Sequence, residues 1–302
     1  MRIVVTGATG LIGSSFVTDA LMRGDEIVSL SRDIARARKL LPACVNHYQW
    51  DALHELPPLQ AFQEAYGVVN LLGEPISGRW TTAKKKLIYS SRIRATQNLA
   101  QGLAQLKHES LVLVSASALG YYGDRKEDLL DENASSGTDF LSKVCVDWEA
   151  AALSGANERL DVQIVRFANV LAEKGGMLPI LRKFYRLGLG SKLGTGNQWV
   201  PWIHINDAVA ALRFALEHPK LNFLNAVSPG IVRQSQFNSV LREFYKRQIM
   251  PSVPSVALKV ILGEFSAEIL GSKRMIPQAL QSSGFKFEFN QLSDAMKDLL
   301  SA

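Results

Sequence analysis

Three glycines near the start of the chain, Gly7, Gly10 and Gly13, have the spacing G-x-x-G-x-x-G within VTGATGLIGSS. They follow an apolar run and precede residues with helical spacing, which places them in a strand-to-helix turn. Such a turn favours residues without a Cβ, and the helix start offers free N–H groups to phosphate oxygens. The spacing therefore predicts a dinucleotide pyrophosphate site. No Gly-Lys-Ser/Thr follows, which excludes a Walker loop.

The end of the second apolar run indicates which dinucleotide is bound. An NAD site usually carries Asp or Glu there for the ribose 2′-hydroxyl, whereas this chain has Ser31 and Arg32. A hydroxyl and a guanidinium suit a 2′-phosphate, so the predicted cofactor is NADP(H). Asp33 works against this assignment unless its carboxylate points away. The alternative is that Arg32 is an ordinary surface residue after a strand.

Apolar strands alternate with helical stretches through the first two thirds of the chain. The predicted strands cover 2–7, 26–32, 45–51, 65–73, 110–117 and 162–171, and the predicted helices cover 11–24, 82–106, 140–153 and 205–218. Nearly continuous apolar strands separated by helices are typical of a parallel sheet covered on both faces. The predicted fold class is α/β: a doubly wound parallel sheet of the Rossmann type with a smaller C-terminal α/β cap.

The pattern changes after residue 171, where glycine-rich loops, prolines and short strands begin. This change predicts a nucleotide-binding domain over 1–170, with helix 205–218 returning to it. The segments 171–204 and 219–302 are assigned to a substrate or cap domain.

Composition limits the remaining classes of protein. The 302 residues are 47% hydrophobic and 21% charged, which is ordinary for a globular protein. No apolar run reaches the roughly 18–20 residues of a membrane span, the start does not resemble a signal peptide, and two cysteines make no disulfide framework. We therefore expect a cytoplasmic protein with no membrane partner and no metal site. The net charge of +6 comes from scattered basic residues apart from Lys84–Lys86, so no nucleic-acid partner is predicted.

Several further motifs accompany the glycine stretch: VVNLLGE, SASALGYYG, VRFANVL, SGRWT, DFLSKVCVDWEAAA, GNQWVPWIHINDAVAAL and GSKRMIPQALQSSGFKFEF. Together they resemble the extended branch of the short-chain dehydrogenase/reductase superfamily, and in particular the nucleotide-sugar-epimerase-like "epimerase family" proteins. Those proteins end in a small domain of unassigned function. The resemblance covers essentially the whole chain.

The resemblance implies a set of cofactor-binding residues. It places Gly7, Thr9, Gly10, Leu11, Ile12 and Gly13 at the pyrophosphate, Ser31 and Arg32 at the 2′-phosphate, Asp51 with Ala52 near the adenine, Leu71, Leu72 and Gly73 at the adenosine ribose, Arg92 near the cofactor or the mouth of the site, and Asn169 with Val170 at the nicotinamide. Leu71, Leu72 and Val170 also suit plain core packing. A strand-end Asn normally serves a polar partner.

The superfamily's catalytic pattern is incomplete here. Its members usually pair a proton-transferring Tyr with a Lys four residues later on the same helix face. Lys143 occupies the Lys position, but Asp139 stands where the Tyr belongs. A carboxylate titrates near pH 4 and a phenol near 10, so Asp139 does not replace the Tyr as an acid. The literal Tyr-x-x-x-Lys at Tyr122–Lys126 lies in a predicted loop.

Other residues were candidates for the missing role. Ser117 ends the fifth strand where the superfamily's substrate-orienting Ser stands, and Tyr121 or Tyr122 could supply a hydroxyl from the loop that follows. The alternative is that both rings pack between the domain and the cap. Trp199, Trp202 and His204 are possible pocket residues, with Trp202 more typical of a core and His204 of a structural hydrogen-bond partner.

Two functions are therefore compatible with the sequence. The first is an NADP(H)-dependent oxidoreductase or epimerase of a small carbonyl, hydroxyl or sugar-nucleotide-like substrate, with Ser117, Tyr121 and Lys143 as catalytic residues and a possible homodimer as its assembly. The second is a non-catalytic NADP(H)-binding sensor or scaffold, which the missing Tyr favours.

Overall fold

A computed structural model describes residues 1–44, 46–106, 110–247 and 250–301. Val45, where the predicted third strand begins, lies outside them. The strands are β1 (Arg2–Thr6), β2 (Glu26–Ser31), β3 (Asn46–Gln49), β4 (Gly67–Asn70), β5 (Leu111–Ala118), β6 (Leu129–Leu130), β7 (Leu160–Phe167), β8 (Asn169–Leu171), β9 (Ser191–Leu193), β10 (Trp199–Val200), β11 (Trp202–His204), β12 (Phe223–Ala226), β13 (Val232–Arg233), β14 (Met250–Val253) and β15 (Arg274–Met275).

The α-helices are α1 (Leu11–Met22), α2 (Ile34–Leu40), α3 (Thr82–Ser90), α4 (Ile93–Leu103), α5 (Phe140–Leu153), α6 (Leu178–Arg186), α7 (Ile205–Glu217), α8 (Gln234–Phe244), α9 (Ser255–Leu262), α10 (Ser266–Leu270), α11 (Gln278–Ser282) and α12 (Leu292–Ser301). Short 3-10 helices cover Leu59–Phe62, Leu119–Tyr122 and Gly263–Phe265.

Seven strands form one parallel sheet in the order β12-β7-β5-β4-β1-β2-β3. The chain runs outward from β1 through β2 to β3, then crosses back to β4 on the other side of β1 and continues outward. This confirms the predicted doubly wound parallel sheet. The change of direction between β1 and β4 leaves a crevice at the carboxyl ends of these strands, where such sheets bind ligands.

Alternate residues along the strands pack against different helices. Val5 of β1 belongs to an apolar cluster with Phe16 of α1 and Leu212 of α7. Val4 belongs to a second cluster with Leu99 of α4. Because both faces of the sheet are covered in this way, the central strands are apolar almost throughout, as the sequence pattern indicated.

The single helix predicted over 82–106 is wrong, because the chain has two helices there, α3 and α4. Arg92 interrupts the helical pattern with φ −104° and ψ −62°. Its Nη1 donates to the carbonyls of Glu74 (2.9 Å) and Ile88 (3.3 Å), and the Ser91 hydroxyl accepts the N–H of Glu74 (3.0 Å). The break therefore ties the loop after β4 to the start of α4.

The seventh strand of the sheet comes from the later part of the chain. β12 pairs in parallel with β7, so residues 223–226 complete the sheet although they lie in the range predicted for the cap. Helix α7 packs against α1, which brings the helix predicted over 205–218 back to the nucleotide-binding region. A third apolar cluster, including Tyr185, Leu241 and Leu299, joins α6, α8 and α12.

Candidate functional site

The three glycines form a tight cradle between β1 and α1. Gly7 has φ +67°, and a Cβ there would lie 2.5 Å from the Leu71 carbonyl oxygen. A Cβ on Gly13 would collide with the Gly7 carbonyl, and Gly10 N–H donates to that same oxygen at 2.9 Å. Helix α1 begins directly after Gly10, with no side-chain cap at its start. The first N–H groups of α1 therefore have no side-chain partner, and the neighbouring glycines leave room for a ligand beside them. This arrangement suits a pyrophosphate.

Two further glycines, in the loop after β8, lie against the start of α1. Gly175 and Gly176 have φ +96° and +66°, and a Cβ on Gly175 would lie 3.0 Å from Leu11 Cδ1. Thr9, Leu11 and Ile12, in the turn and the first residues of α1, are half-buried. The loop after β8 thus meets the start of α1 at the same end of the sheet.

The end of β2 carries the residues predicted for the 2′-phosphate. Arg32 is exposed, and the Ser31 hydroxyl accepts the Asp33 N–H at 3.2 Å. Asp33 caps α2 by accepting the Arg36 N–H at 2.9 Å, so helix α2 engages the carboxylate that opposed the NADP(H) assignment. The pKa of Asp51 is lowered, first by its hydrogen bonds to His54 and the backbone and also by the charge of Arg32.

The residues after β4 lie beside the glycine cradle. Leu71 N–H donates to the Thr6 carbonyl at 3.2 Å, and Leu71 supplies the carbonyl that excludes a side chain at Gly7. The half-buried Leu72 packs against the apolar cluster on the α4 side. Gly73 faces Arg92, whose Cζ would lie 3.1 Å from a Cβ at that position. Burial lowers the pKa of Arg92.

Asn169 and Val170 lie in β8, directly after β7, and both are half-buried. The Asn169 side-chain Nδ2 donates to the Pro201 carbonyl at 2.8 Å. Val170 pairs with Ile203 of β11. The polar partner expected for this strand-end Asn is thus present within the protein itself.

A row of uncharged polar side chains crosses the sheet at the last residues of β1 and β4 and the fifth residue of β5; we call Thr6, Asn70 and Ser115 the neutral row. All three are fully buried. The Thr6 hydroxyl donates to Asn70 Oδ1 at 2.8 Å, and Asn70 Nδ2 donates to Ser115 Oγ at 3.0 Å. Asn70 Nδ2 also donates to Thr96 Oγ1, which accepts Trp148 Nε1, both at 3.0 Å. The row thereby joins three strands to α4 and α5.

A second row crosses β5, β7 and β12 two residues further along β5; we call Ser117, Arg166 and Asn225 the charged row. Arg166 forms a two-bond ion pair with Glu149 of α5, with Nε and Nη2 each 2.8 Å from a carboxylate oxygen. These side chains are only 2% and 6% exposed. Burial opposes the charge of Arg166, but Glu149 raises its pKa above the ordinary value. The Ser117 hydroxyl donates to Glu149 at 2.5 Å.

The charged row continues into the loop after β5. Arg166 Nη1 donates to the Tyr122 hydroxyl at 3.1 Å, and that hydroxyl donates to Asn225 Oδ1 at 2.7 Å. Burial raises the pKa of Tyr122 to about 12, so its phenol stays protonated. The ring of Tyr121 lies over the Arg166 guanidinium, with 3.6 Å from Cζ to the ring centroid. Tyr121 is half-buried, and among the described residues its hydroxyl has no hydrogen-bond partner.

The start of α5 shows how the chain uses Asp139. Its carboxylate caps the helix by accepting the Ser142 N–H at 2.9 Å, so a helix cap occupies the superfamily's Tyr position. Lys143 is exposed and makes no ion pair with any described residue. The Ser142 hydroxyl donates to the Gly120 carbonyl at 3.0 Å, which anchors the Tyr121 turn to α5. Ser117 and Tyr121 are thus connected through Glu149 and Arg166, whereas Lys143 stands apart from this network.

The remaining candidates are engaged within the protein. Trp202 is fully buried and donates to the Gly230 carbonyl at 2.8 Å, and His204 accepts the Asn206 N–H and faces Asp298 at 3.2 Å. Trp199 donates to Glu127 at 2.9 Å. Lys126 has φ +52° in a loop, so Tyr122 and Lys126 do not share a helix. Within the described residues, no group of three or more His, Cys, Asp or Glu side chains is suited to a metal ion.

Sequence reasoning missed the pair that organises this site. Arg166 stands inside the apolar run VQIVRFANVL, and a charge in a strand covered on both faces signals a buried partner. Glu149 supplies that partner from α5.

The sequence analysis also missed an aromatic contact between Trp80 and Phe265, whose ring centroids are 5.8 Å apart. It joins the loop after β4 to residues 250–301, which we call the C-terminal segment.

Comparison with known families matches two parts of the chain. The sequence model of the NAD dependent epimerase/dehydratase family matches residues 3–225. The model of a domain of unknown function, DUF1731, matches residues 253–299. Of the described helices, none is both long and apolar enough to cross a membrane.

Individual relatives match over almost the full length. The chain is 37% identical over 298 residues to epimerase family protein Mb2239 of Mycobacterium bovis, covering 97% of this chain and 96% of that protein. It is 34% identical over 310 residues to the chloroplastic epimerase family protein SDR39U1 homolog of Arabidopsis thaliana, covering 99% and 87%. The crystal structure of human epimerase family protein SDR39U1 (isoform 2) with NADPH superposes with a TM-score of 0.88 and 28% identity, covering 100% and 99%.

Proposed function

Because the chain belongs to the NAD dependent epimerase/dehydratase family, we propose that it binds NADP(H) and acts as an oxidoreductase or epimerase. Its substrate is a small carbonyl, hydroxyl or sugar-nucleotide-like molecule. A bound nicotinamide supplies hydride exchange with a substrate carbon. The residues of this chain hold the cofactor, orient the substrate and move a proton at its oxygen. We further propose the cytoplasmic location, the possible homodimer and the two-domain division predicted from the sequence, with β12 counted in the nucleotide-binding domain.

The observation that carries the cofactor assignment is the glycine cradle beside an uncapped helix. Gly7 and Gly13 stand where any side chain would strike backbone, and α1 begins with free N–H groups above them. At the end of β2, Arg32 is exposed and Asp33 is occupied at the cap of α2. This arrangement favours a 2′-phosphate over a bare 2′-hydroxyl, because a guanidinium pairs with phosphate and the Asp33 carboxylate is engaged by α2. The relative crystallised with NADPH supports the same choice.

The cofactor assignment is tested by titrating the protein with NADPH and with NADH, following the nicotinamide fluorescence. Arg32→Ala is expected to weaken NADPH about 10- to 100-fold, as a charge-assisted hydrogen bond to phosphate is lost. NADH binding should change little. The matched control is Arg159→Ala, an exposed arginine at the opposite end of the sheet, which should alter neither. Equal losses for both nucleotides would refute the 2′-phosphate assignment.

For catalysis we propose that Tyr121 transfers the proton at the substrate oxygen. Its hydroxyl has no partner among the described residues, while its ring is held by Arg166. Lys143 is proposed to bind the nicotinamide ribose from the exposed side of α5. The role of Ser117 as the substrate-orienting hydroxyl remains a prediction, since that hydroxyl donates to buried Glu149. To contact substrate, the Ser117 hydroxyl would have to break its hydrogen bond to Glu149.

Turnover is tested by following NADPH absorbance against aldehydes, ketones and sugar nucleotides. Tyr121→Phe is expected to abolish turnover while leaving NADPH affinity intact, because only the proton-transferring hydroxyl is removed. Ser117→Ala separates two roles: loss of turnover at unchanged stability supports substrate contact, whereas loss of stability supports positioning of Glu149. Turnover that survives Tyr121→Phe would contradict the tyrosine assignment.

A second function is favoured by one specific observation, the helix cap at Asp139. The position that carries the superfamily's Tyr instead holds the start of α5. An NADP(H)-binding sensor or scaffold needs the cradle but no proton donor. Tight NADPH binding with no turnover across the whole substrate panel would establish this function in place of the enzyme.

A further inference from the structure

Exposed apolar side chains concentrate in one part of the chain, which we call the cap face: residues 178–193, 242–247 and 250–262. Of the nineteen large hydrophobic side chains that are exposed in the described residues, eight lie there: Ile180, Phe184, Leu187, Leu189, Met250, Val256, Val260 and Ile261. Val256 and Val260 are each 70% exposed. Exposed apolar side chains grouped in this way mark an interaction surface rather than ordinary surface scatter.

On α6 the exposed side chains are not the ones that hold the helix in place. Leu178 and Tyr185 are 1% and 3% exposed and pack into the cluster with α8 and α12. Ile180, Phe184 and Leu187 follow one another at helical spacing on the solvent side. Helix α6 therefore has one apolar side that packs and another that faces solvent.

The elements of the cap face are neighbours in space. Strands β9 and β14 pair in parallel, with Ser191 opposite Met250. Helix α6 leads into β9, and α9 follows β14. The end of α8 reaches the end of α6, where Arg247 Nη2 donates to the Arg186 carbonyl at 2.7 Å. The exposed side chains of both helices thus belong to one assembled region.

The cap face also holds the chain's excess positive charge. It contains one acidic residue, Glu243, and eight basic residues: Arg182, Lys183, Arg186, Lys192, Arg242, Lys246, Arg247 and Lys259. Within the described residues, none of these eight forms an ion pair. The rest of the chain has 26 basic and 27 acidic residues, so the net charge of +6 arises from this region.

We propose that the cap face binds the surface of an anionic lipid bilayer. Aliphatic and aromatic side chains interleaved with cations are the composition of helices that lie in a membrane interface. A second copy of this chain would bring the same strongly positive region against itself, which disfavours self-association through this face. A nucleic acid would use the cations but leave the aliphatic side chains exposed. The contact is peripheral and needs no membrane-spanning helix, although the sequence had predicted no membrane partner.

The test is co-sedimentation of the full chain with vesicles of phosphatidylcholine alone and of phosphatidylcholine mixed equally with phosphatidylglycerol. We expect binding to the anionic vesicles to exceed binding to the neutral ones by about tenfold or more, and to fall as salt is raised. Val256→Asp combined with Val260→Asp should lower anionic-vesicle binding about tenfold or more. Lys183→Glu combined with Arg186→Glu should do the same through charge alone.

Two single-substitution controls make a change of each kind elsewhere in the protein. Met22→Asp alters a side chain that is 77% exposed on α1, and Lys86→Glu reverses an exposed charge on α3. Both should bind vesicles like the unmodified protein. Thermal unfolding and NADPH titration check that every variant is folded, and they keep this test separate from the function proposed above.

Several outcomes would overturn the proposal. Wild-type protein that does not prefer anionic vesicles at low salt would reject it, as would equal losses in the cap-face and control variants. Sedimentation velocity showing a dimer that only the cap-face variants dissociate would assign the face to a second copy. Displacement from vesicles by RNA, with unchanged RNA binding in the Val256→Asp, Val260→Asp variant, would assign it to nucleic acid.

Discussion

The neutral row and the charged row cross the same sheet two residues apart on β5, yet they join different parts of the molecule. The neutral row links β1, β4 and β5 to α4 and α5 through uncharged hydroxyl, amide and indole groups. The charged row links β5, β7 and β12 through the buried pair of Arg166 and Glu149. One row lies beside the nucleotide cradle, and the other lies beneath the loop that carries Tyr121.

The charged row also reaches the C-terminal segment. Asn225 Nδ2 donates to the Ile276 carbonyl at 2.9 Å, and Glu132 accepts the N–H groups of Asn225 and Ala279 at 3.0 and 3.1 Å. Because a buried ion pair stands at its centre, removing one partner strands a charge. The side-chain bonds beside the nucleotide cradle are thus uncharged, whereas those beneath the Tyr121 loop are centred on one buried ion pair.

The largest expected effect comes from breaking that pair. Glu149→Ala leaves Arg166 buried without its counter-charge and should lower the free energy of unfolding by about 3–5 kcal/mol. Urea unfolding followed by tryptophan fluorescence measures it. Glu149→Leu combined with Arg166→Met should recover most of the loss, since an apolar pair leaves no charge unpaired. A double variant as unstable as the single one would show that the pair itself is not the cause.

Asn70→Ala breaks the neutral row and should cost less, about 2–3 kcal/mol. The hydroxyl groups of Thr6, Ser115 and Thr96 lose their hydrogen bonds to the Asn70 side-chain amide, but no buried charge is left unpaired. The same urea experiment compares it with Glu149→Ala. If Asn70→Ala proves the more damaging substitution, the distinction between the two rows is wrong.

Tyr122→Phe tests the hydroxyl that connects Arg166 to Asn225. We expect a loss of about 1–2 kcal/mol, because Asn225 Oδ1 loses its donor while Arg166 keeps Glu149. Tyr121→Phe is the matched control in the adjacent residue, and removal of its hydroxyl, which bonds to none of the described residues, should leave thermal unfolding nearly unchanged. Similar losses in both variants would mean that the network does not depend on the Tyr122 hydroxyl.

The smallest effect concerns pH and involves Glu132, which accepts the N–H of Asn225 in the charged row. Burial raises the pKa of Glu132, although backbone N–H groups oppose the shift. A carboxyl whose pKa is higher when folded loses stability as pH rises through that folded value, and Gln does not titrate. Glu132→Gln should therefore gain stability relative to wild type as pH rises above the ordinary glutamate pKa of about 4.3. Urea unfolding at several pH values measures this gain, and a constant difference would contradict it.

The parts of the site that were predictable are those fixed by neighbouring residues. The roles of Gly7, Gly10 and Gly13 follow from spacing, because a turn and the helix after it are local structures. The bounds of α5 agree with the prediction to the residue. The break at Arg92 was not predictable in this way, because it depends on a carbonyl in the loop after β4.

The charged row was also not predictable, because the sequence shows its residues but not the contacts between them. Arg166 and Glu149 are seventeen positions apart, and Asn225 comes from a strand that had been assigned to the cap. Their contact requires α5 to lie on the sheet and β12 to complete its edge. Periodicity places each residue on a face, but it does not say which distant side chain stands opposite.

The sequence by itself determined the doubly wound sheet, the glycine cradle and the cation at the end of β2, because strand alternation and tight turns are short-range requirements. Only the tertiary structure decided that Asp139 caps a helix, that Ser117 serves Glu149 and that Tyr121 rests on Arg166. It also gathered basic residues that looked scattered along the chain into one exposed apolar region. Burial and ion pairing depend on which distant side chains come into contact, and only the folded structure determines those contacts.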